Sequence, residues 1–360
     1  MLRPTTTILT SSTTSALLRT LTTTTTTTLP KTTTSTSTKR HHSSVSANEL
    51  SHFSSLATSW WDPQGPSRVL HLMNPVRHDF IASCLAESTP ISSTTPSSPM
   101  DPTNTHNRNN LRYLDIGCGG GIFAESLART IPSSTSTSGE GNELLTRTRA
   151  SSITALDPSP TLIKIARDHA RLDPSVQAHL DSGKFKYVNS SLEEFIPTLH
   201  TPTPEGNTNG DARFDIVTLF EVLEHIDNIP GSITPQSFLA NCLSVVKPGG
   251  WLIGSTIART FPSWLVNQVV AEAPWPIGVV PRGTHEWKKF VNPGELEGWV
   301  QEGLMRGQDG RAVRGGSEAL EGAKWRCEGV VYFPGLGWKL VKGSESWGNY
   351  FWAVKKGGLN

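Results

Sequence analysis

The sequence predicts an α/β fold in which a mostly parallel sheet is covered by helices on both faces. Between residues 111 and 256, short apolar segments typical of buried strands alternate with segments of helical periodicity. A glycine-rich turn at 117–121 follows the first of these strands and opens the first helix. Because parallel strands need crossover connections, which are usually helices, this alternation predicts a parallel sheet.

The predicted elements follow one another in a regular order. The strands that alternate with helices cover 111–116, 153–156, 185–188, 214–220 and 251–256. The helices cover 123–129, 161–170 and 236–246, and the turn Lys247-Pro248-Gly249-Gly250 ends the last of them. Two later apolar segments, 329–333 and 350–355, are predicted to complete the sheet as an antiparallel pair, which gives seven strands.

Residues 1–44 have the composition of a targeting leader. The first 48 residues carry five Lys or Arg, no Asp or Glu, and long runs of Thr and Ser. This composition is typical of a mitochondrial transit peptide, although a low-complexity tail without a targeting function would have the same Thr runs. We therefore predict a transit peptide and disordered leader over 1–44, followed by a single domain over 45–360.

Charge and cysteine content argue against a nucleic-acid-binding surface and indicate a reducing compartment. The chain has a formal net charge of +1, so without its five leader cations it carries −4 and offers no basic surface for nucleic acid. The four cysteines form no Cys-x-x-Cys pair, which fits a reducing compartment. Low-complexity segments near 88–110, 133–149, 201–212 and 306–322 are predicted to be surface insertions, because added loop length costs little closure entropy.

The turn after the first strand has the composition of a ligand-binding loop. Its sequence is Leu114-Asp115-Ile116-Gly117-Cys118-Gly119-Gly120-Gly121, and glycines let backbone N–H groups approach a ligand without obstruction by Cβ atoms. A dinucleotide fingerprint would place a further glycine where Ile122 stands, and the phosphate-binding lysine of a P-loop is also missing. The loop therefore favours a ligand without pyrophosphate, such as the methionine end of S-adenosylmethionine. A tight turn without a ligand is the alternative.

Two residues at the ends of later strands are candidates for the same ligand. Asp157 ends the second strand, where its carboxylate can accept hydrogen bonds from two ribose hydroxyls; alternatively, it caps the following helix. Phe220 ends the fourth strand, where it could cover the cofactor or pack in the core. Because the carboxyl ends of parallel strands share one edge of a sheet, both residues are expected beside the glycine loop.

Five segments, in order along the chain, carry a resemblance to a known family. They are Trp60-Trp61-Asp62-Pro63, 70–77 with Asn74-Pro75-Val76-Arg77, the glycine loop, 220–225, and 283–290 with Gly283-Thr284-His285 and Lys288-Lys289-Phe290. From about residue 50 to 300 the chain resembles the ubiquinone-biosynthesis O-methyltransferases of mitochondria and bacteria. The first, second and last segments are the specific ones, because the other two occur across many methyltransferases.

The resemblance implies a class I, Rossmann-like methyltransferase fold. It implies S-adenosylmethionine-dependent methylation of polyprenylated catechol intermediates of ubiquinone, at both O-methylation steps, with Arg77, Gly117, Asp157 and Phe220 binding the cofactor. A guanidinium can pair bidentately with the methionine carboxylate, although Arg77 could also be a surface cation. The implied partners are other ubiquinone-biosynthesis proteins, in a complex at the matrix side of the inner membrane. A methyltransferase for another small phenol and a catalytically inert cofactor-binding subunit are the alternatives.

Glu221, Glu224 and His225 follow the fourth strand at spacings i, i+3 and i+4. On a helix these three side chains would share one face at the ligand-binding edge of the sheet. They could bind a divalent metal that lowers the pKa of a catechol, and the resemblance implies that they bind Mg2+. Alternatively, the Leu-Glu-His segment shapes the pocket without a metal, and His225 acts as a base.

His285 is a further candidate for the general base or for a catechol partner, and the adjacent Lys288 and Lys289 could counter a phenolate. The alternative for a single loop histidine is a structural hydrogen bond. The apolar stretch 261–281, rich in Trp, Val and Pro, is expected to cover the substrate or to lie in a membrane interface as a peripheral contact.

Overall fold

The computed structural model describes residues 44–65, 67–87, 110–132, 147–199, 211–227, 233–270, 272, 286–306, 320–333 and 335–358. Apart from residues at their margins, the predicted leader and the four predicted insertions lie outside these ranges, and so does His285. Those predictions stay predictions. Within the described ranges, no helix is both long enough and apolar enough to cross a bilayer.

The bounds of the elements agree with the predicted order. The described strands are β1 Leu111–Ile116, β2 Ala150–Asp157, β3 Phe185–Asn189, β4 Phe214–Phe220, β5 Val246–Ile257, β6 Lys324–Phe333, β7 Gly337–Val341 and β8 Asn349–Lys355. The described α-helices are α1 Ala47–Leu56, α2 Arg68–Glu87, α3 Ile122–Ala128, α4 Pro160–Ala170, α5 Pro174–Asp181, α6 Leu192–Leu199, α7 Pro235–Ser244 and α8 Pro293–Met305. A turn of helix at Phe261–Ser263 continues as a π-helix at Trp264–Val270, and together they form the 261–270 segment.

Helices α4, α5 and α7 begin with the same two-residue signal. In each case a capping side chain accepts a hydrogen bond from a backbone N–H of the first turn, and a proline follows: Ser159-Pro160, Asp173-Pro174 and Thr234-Pro235. The cap satisfies an N–H that has no partner inside the helix, and the proline loses no hydrogen bond at the first helical position. These local signals fix where the three helices begin.

One sheet contains all the described strands, in the order β3-β2-β1-β4-β5-β8-β6-β7. The pairs from β3 to β5 are parallel, whereas β8 pairs antiparallel with both β5 and β6. The chain leaves β1 toward β2 on one side and later adds β4 on the other, so the strand order reverses at β1. Crevices at such reversals, beyond the carboxyl ends of the strands, are where open α/β sheets bind ligands.

The predicted count of seven strands is wrong by one among the described residues, where the sheet has eight. The predicted antiparallel strands are β6 and β8, and the extra strand β7 pairs antiparallel with β6. Gly335, in the turn between β6 and β7, adopts a φ value of 82°, and Gly337, the first residue of β7, adopts a φ value of 74°. Glycine takes this left-handed conformation at little cost, so the two glycines build a tight hairpin that the sequence analysis overlooked.

Two buried clusters cover the two faces of the sheet, and the strands divide their side chains between them. On β1, Tyr113 belongs to one cluster and Leu114 to the other, while on β8 Phe351 and Trp352 are divided in the same way. This is the two-residue period of a strand that is buried on both faces. Each such side chain contributes about 1.5–3 kcal/mol to the stability of the fold when it is fully buried. The two clusters therefore stabilise the sheet on both faces.

Candidate active site

The glycine loop after β1 is required both by its backbone conformation and by its neighbours. Gly117, Gly119 and Gly121 adopt φ values of 71°, 54° and 89°, which side chains rarely tolerate. Gly120 has no such conformation, but a Cβ atom there would overlap the indole ring of Trp60. The loop therefore lies directly against the predicted Trp-Trp-Asp segment.

Asp157 connects the end of β2 to this loop. Its carboxylate accepts hydrogen bonds from the backbone N–H of Gly119 at 2.9 Å and from that of Ser159 at 2.8 Å. Ser159, not Asp157, caps α4, so the alternative role as a helix cap is wrong. Burial raises the pKa of Asp157 to about 6, although both N–H donors act in the opposite direction.

Two further segments of the sequence contact the glycine loop and the residue that follows it. The indole of Trp61 donates to the carbonyl oxygen of Gly120 at 2.9 Å. Asn74, on α2, donates to the carbonyl oxygen of Ile122 at 3.0 Å. The Trp-Trp-Asp and Asn-Pro-x-Arg segments are therefore both hydrogen-bonded to the backbone of this region, although they lie far from it in sequence.

Arg77 is buried on α2, with 3 % of its surface exposed, so its interpretation as a surface cation is wrong. One terminal nitrogen donates to Asn74 at 3.1 Å, but its buried Nε has no hydrogen-bond partner among the described residues. The guanidinium lies 5.0 Å from the ring centroid of Phe220, which is itself buried at the end of β4. Burial lowers the pKa of Arg77 to about 10, so the group stays charged at neutral pH.

Asp115, on β1, is a site residue to which the sequence analysis gave no role. Its Oδ1 accepts a hydrogen bond from the hydroxyl of Thr218 at 2.7 Å, while its buried Oδ2 has no partner in the described part of the chain. Burial raises the pKa of Asp115 to about 7, against the opposing effects of Thr218 and Arg77. The signal in the sequence was an acid between Leu114 and Ile116 in a predicted buried strand, because burying a charged group without a partner costs free energy.

A cavity of about 640 Å³ joins these residues along the carboxyl edge of the sheet. Its cofactor-facing wall includes Arg77, Asp115, Gly117, Gly119, Asp157 and Phe220. Its other walls are apolar and come from α1, α2, the 261–270 segment, β6 and β7: Leu50, Phe53, Leu70, Met73, Val266, Val330, Tyr332 and Trp338. Glu221, Glu224 and His225 also line the cavity. The cavity thus combines a polar, glycine-lined part with a larger apolar part.

The helix expected to align Glu221, Glu224 and His225 is absent, and this prediction is wrong. Glu221 adopts φ 55°, and only a 3₁₀ turn, Leu223–His225, follows it. A residue in the left-handed region cannot continue an α-helix, so the spacing i, i+3, i+4 does not produce a common face. Glutamate seldom adopts this conformation, which marks a backbone held by its surroundings.

The two glutamates meet each other, and β5 and β8 hold them. Glu221 accepts hydrogen bonds from the Ser255 hydroxyl at 2.6 Å and from the Asn349 amide at 3.3 Å. Buried Glu224 accepts a hydrogen bond from the Thr256 hydroxyl at 2.8 Å. Burial, with Glu221 beside it, holds the pKa of Glu224 well above its ordinary value. The proximity of Glu221 therefore disfavours the ionised form of Glu224.

His225 turns away from this pair toward α1. Its Nδ1 lies 3.3 Å from Oε2 of Glu49, and its ring meets that of Phe53 edge to face, with centroids 4.8 Å apart. The described residues contain no group of three or more His, Cys, Asp or Glu side chains placed to hold a metal. The three residues do not fit the predicted Mg2+ site in this arrangement, because β5 and β8 hold the glutamates while α1 holds the histidine.

Lys289 also has another role than the predicted one. Its Nζ lies 2.9 Å from Glu49, 2.7 Å from Asp227 and 3.7 Å from Glu286. Although burial alone would raise the pKa of Glu49, His225 and Lys289 lower it to about 2. A lysine paired with several carboxylates is not available to counter a phenolate.

The comparisons with known proteins agree with this geometry. A profile described as a methyltransferase domain matches residues 94–303. The mitochondrial ubiquinone biosynthesis O-methyltransferase of Candida albicans is 32 % identical over 337 residues, covering 87 % of this chain and 86 % of the relative. Its counterpart in Schizosaccharomyces pombe is 36 % identical over 260 residues, covering 72 % of each chain.

A bacterial relative extends the likeness beyond mitochondria. The ubiquinone biosynthesis O-methyltransferase of Methylobacterium nodulans is 30 % identical over 314 residues, covering 87 % of this chain and 96 % of the relative. The α/β sheet with a glycine loop and an acid at the end of β2 is the architecture that the sequence resemblance implied. The chain therefore belongs to the ubiquinone biosynthesis O-methyltransferases.

Proposed function

We propose that the protein transfers a methyl group from S-adenosylmethionine to a phenolic oxygen of polyprenylated catechol intermediates of ubiquinone, at both O-methylation steps. The observation that carries this proposal is one cavity that combines a polar, glycine-lined part with a larger apolar part. The family to which the chain belongs supplies the reaction class. The cavity supports the kind of substrate, because a catechol with an isoprenoid tail needs both parts.

The polar part fits the cofactor. Buried Arg77 has an unpaired Nε and buried Asp115 an unpaired Oδ2, so together they offer a cation for a carboxylate and an acceptor for an ammonium group. Asp157 is placed to accept hydrogen bonds from ribose hydroxyls, and Phe220 packs under Arg77. When bound, S-adenosylmethionine supplies a methyl group on a positively charged sulfur, which leaves as a thioether.

The remaining task of the protein is to orient the catechol and to accept one proton. The raised pKa of Glu224 disfavours the carboxylate that would accept a proton, whereas His225 lines the cavity and uses Nδ1 for its contact with Glu49. We assign His225 the role of base and derive no step through a metal ion. The Mg2+ that the resemblance implies would require Glu224 to ionise and the donors to converge. His285 remains a second candidate base, outside the described residues.

A turnover assay tests the proposal. Purified protein would be incubated with methyl-labelled S-adenosylmethionine and either a short-chain prenyl catechol or the same catechol without its prenyl group. We expect kcat/KM to be at least tenfold higher for the prenyl compound, since each buried methylene contributes about 0.8 kcal/mol. Equal values would favour a methyltransferase for another small phenol, and no product from either would favour an inert cofactor-binding subunit.

A parallel reaction with chelator addresses the metal separately. Loss of turnover that added Mg2+ restores would show that Glu221, Glu224 and His225 rearrange around the ion. Unchanged turnover would support the metal-free assignment of His225. Cofactor affinity, measured by calorimetry with S-adenosylhomocysteine, controls for damage to the polar part of the cavity in both conditions.

We further propose that the protein works in mitochondria, on the matrix side of the inner membrane, beside other ubiquinone-biosynthesis proteins. The leader composition and the mitochondrial fungal relatives support the compartment. The 261–270 segment supports a peripheral lipid contact, because Phe261 is 70 % exposed and Trp264, Leu265, Val266 and Val269 are also exposed. A triple variant with Phe261→Ser, Trp264→Ser and Leu265→Ser should no longer float with cardiolipin-containing vesicles. Retained flotation of this variant would contradict the lipid contact.

A further inference from the structure

One face of helix α2 lines the cavity over about two turns. Leu70, Met73 and Arg77 all belong to the lining, at the spacings that place helical residues on a common face. At a rise of about 1.5 Å per residue, the stretch from Leu70 to Arg77 spans about 10 Å along the helix axis. The lining that α2 supplies therefore changes from cationic to apolar along this axis, away from the proposed cofactor site.

The β6–β7 hairpin meets α2 at the apolar end of this face. The indole N–H of Trp338 donates to the carbonyl oxygen of Val69 at 2.8 Å, one residue before Leu70. Trp338 also packs against the buried cluster that contains Met73. A directional bond therefore joins the hairpin to the helix, and Val69 and Trp338 both line the cavity.

Two aromatic rings form the contribution of the hairpin to the cavity wall. Tyr332 of β6 and Trp338 of β7 are directly opposite each other in the antiparallel pair, and opposite residues point to the same face of a sheet. Their rings meet edge to face, with centroids 5.3 Å apart, and both residues line the cavity. Rings of this kind offer a large apolar surface to a hydrocarbon chain, which needs no hydrogen bonds.

We propose that Tyr332 and Trp338 bind the isoprenoid tail of the substrate and so set the preference for a prenylated over an unprenylated catechol. This inference rests on the proposed function, because a tail-binding site has a role only if the substrate carries a tail. The 261–270 segment also lines the cavity, but its Val266 is 51 % exposed, whereas Tyr332 and Trp338 are half-buried. The hairpin offers the better-shielded surface, and removal of apolar surface from water is what favours tail binding.

Kinetics with two substrates test the tail site. The prenyl preference is the ratio of kcat/KM for a geranyl catechol to kcat/KM for the same catechol without its tail. Trp338→Ala and Tyr332→Ser should each lower this ratio at least fivefold, because the tail loses buried contacts. The value of kcat/KM for the unprenylated catechol and the affinity for S-adenosylhomocysteine should change less than threefold. An unchanged ratio in both folded variants would overturn the proposal.

Trp325→Ala is the matched control for loss of a large ring from the same part of the sheet. Trp325 also lies on β6, but it packs against the other buried cluster and stacks on Trp352, with ring centroids 6.2 Å apart. This variant should have a lower melting temperature and a prenyl preference within threefold of wild type. If it loses the preference as fully as Trp338→Ala, the loss reflects a loosened sheet, and the tail site is overturned.

Binding without turnover separates this inference from the proposed function. Protein saturated with S-adenosylhomocysteine would be titrated by calorimetry with the geranyl catechol and with its counterpart without a tail. We expect wild type to bind the geranyl compound at least tenfold more tightly, and Trp338→Ala to lose most of this difference. Equal affinity of wild type for the two compounds would overturn the tail site.

The two assays together distinguish the possible failures. If wild type binds the geranyl compound more tightly but methylates neither catechol, the proposed function fails and the tail site is supported. If wild type methylates the geranyl compound and both hairpin variants keep the prenyl preference, the tail site fails and the proposed function is supported.

Discussion

Two buried ionisable side chains that line the cavity, Arg77 and Asp115, lie where a ligand can complete their hydrogen bonds. Each keeps one buried polar atom without a hydrogen-bond partner among the described residues. Leaving such an atom unpaired costs about 1–3 kcal/mol, which a bound ligand with matching charges would offset. At the scale of single residues, the site is therefore prepared for a ligand at the expense of the stability of the empty protein.

Asp157→Ala should weaken the binding of S-adenosylhomocysteine, because the ribose hydroxyls would lose a charged acceptor worth about 1.5–3 kcal/mol. Isothermal titration calorimetry measures the change. Asp168→Ala, which removes an exposed acid on α4 that pairs with Lys164 at 2.6 Å, is the matched control and should bind like wild type. Unchanged affinity in a folded Asp157→Ala would remove this residue from the cofactor site.

The raised pKa of Asp157 also predicts a pH dependence. A carboxyl whose folded pKa is about 6, above its ordinary value of 3.8, favours its protonated form, so its contribution to stability is lost as pH rises through 6. Hydrogen bonds from the ribose favour the ionised form, so Asp157 by itself should make the affinity about tenfold weaker at pH 5 than at pH 8. Asp115, with a pKa of about 7, contributes a second dependence that remains in Asp157→Ala.

At the scale of elements, the glycine loop and the segment around Trp60 pack directly on each other, so the conformation of each depends on the other. The indole of Trp60 occupies the space that a side chain on Gly120 would need, while Trp61 holds the carbonyl of that glycine. One side of the loop is therefore covered by residues that do not belong to the sheet. Its conformation depends on how the chain from α1 to α2 packs over it.

Gly120→Ala should therefore destabilise the protein by about 1–3 kcal/mol, because the added methyl group displaces Trp60 from a closely packed contact. Thermal unfolding measures the change, and cofactor affinity should fall with it. Gly298→Ala on α8 is the control, since a Cβ there meets nothing within 4 Å and should stabilise the helix by about 0.4–1 kcal/mol. If Gly120→Ala and wild type are equally stable, the loop accommodates the added methyl group without loss of folding free energy.

At the scale of the whole molecule, the targeting leader and the catalytic body are predicted to be separable. Deleting Met1–Arg40 should leave methylation in vitro intact, because every residue assigned to the site lies after this segment. The same deletion should abolish import into isolated mitochondria, since all five leader cations are removed. Protease protection after import measures this, with the full chain as control. Continued import of the truncated chain would contradict the assignment of the leader.

The sequence by itself determined the order of strands and helices, the glycine loop and the position of Asp157 beside it. These follow from local causes: the two-residue period of buried strands, the left-handed conformation that glycine accepts, and the meeting of parallel strands at one edge. Arg77 and Phe220 were also predicted as site residues, and the structure brings both to the wall of the same cavity.

Only the tertiary structure decided what surrounds Glu221, Glu224 and His225. Their spacing predicted a helical face, but the left-handed backbone at Glu221 is incompatible with a helix. The two glutamates are held by β5 and β8, whereas His225 contacts α1. Glu49 stands 176 residues before His225, and no local pattern connects them. Spacing along the chain constrains side-chain direction only inside a regular element; between elements, packing alone sets which groups meet.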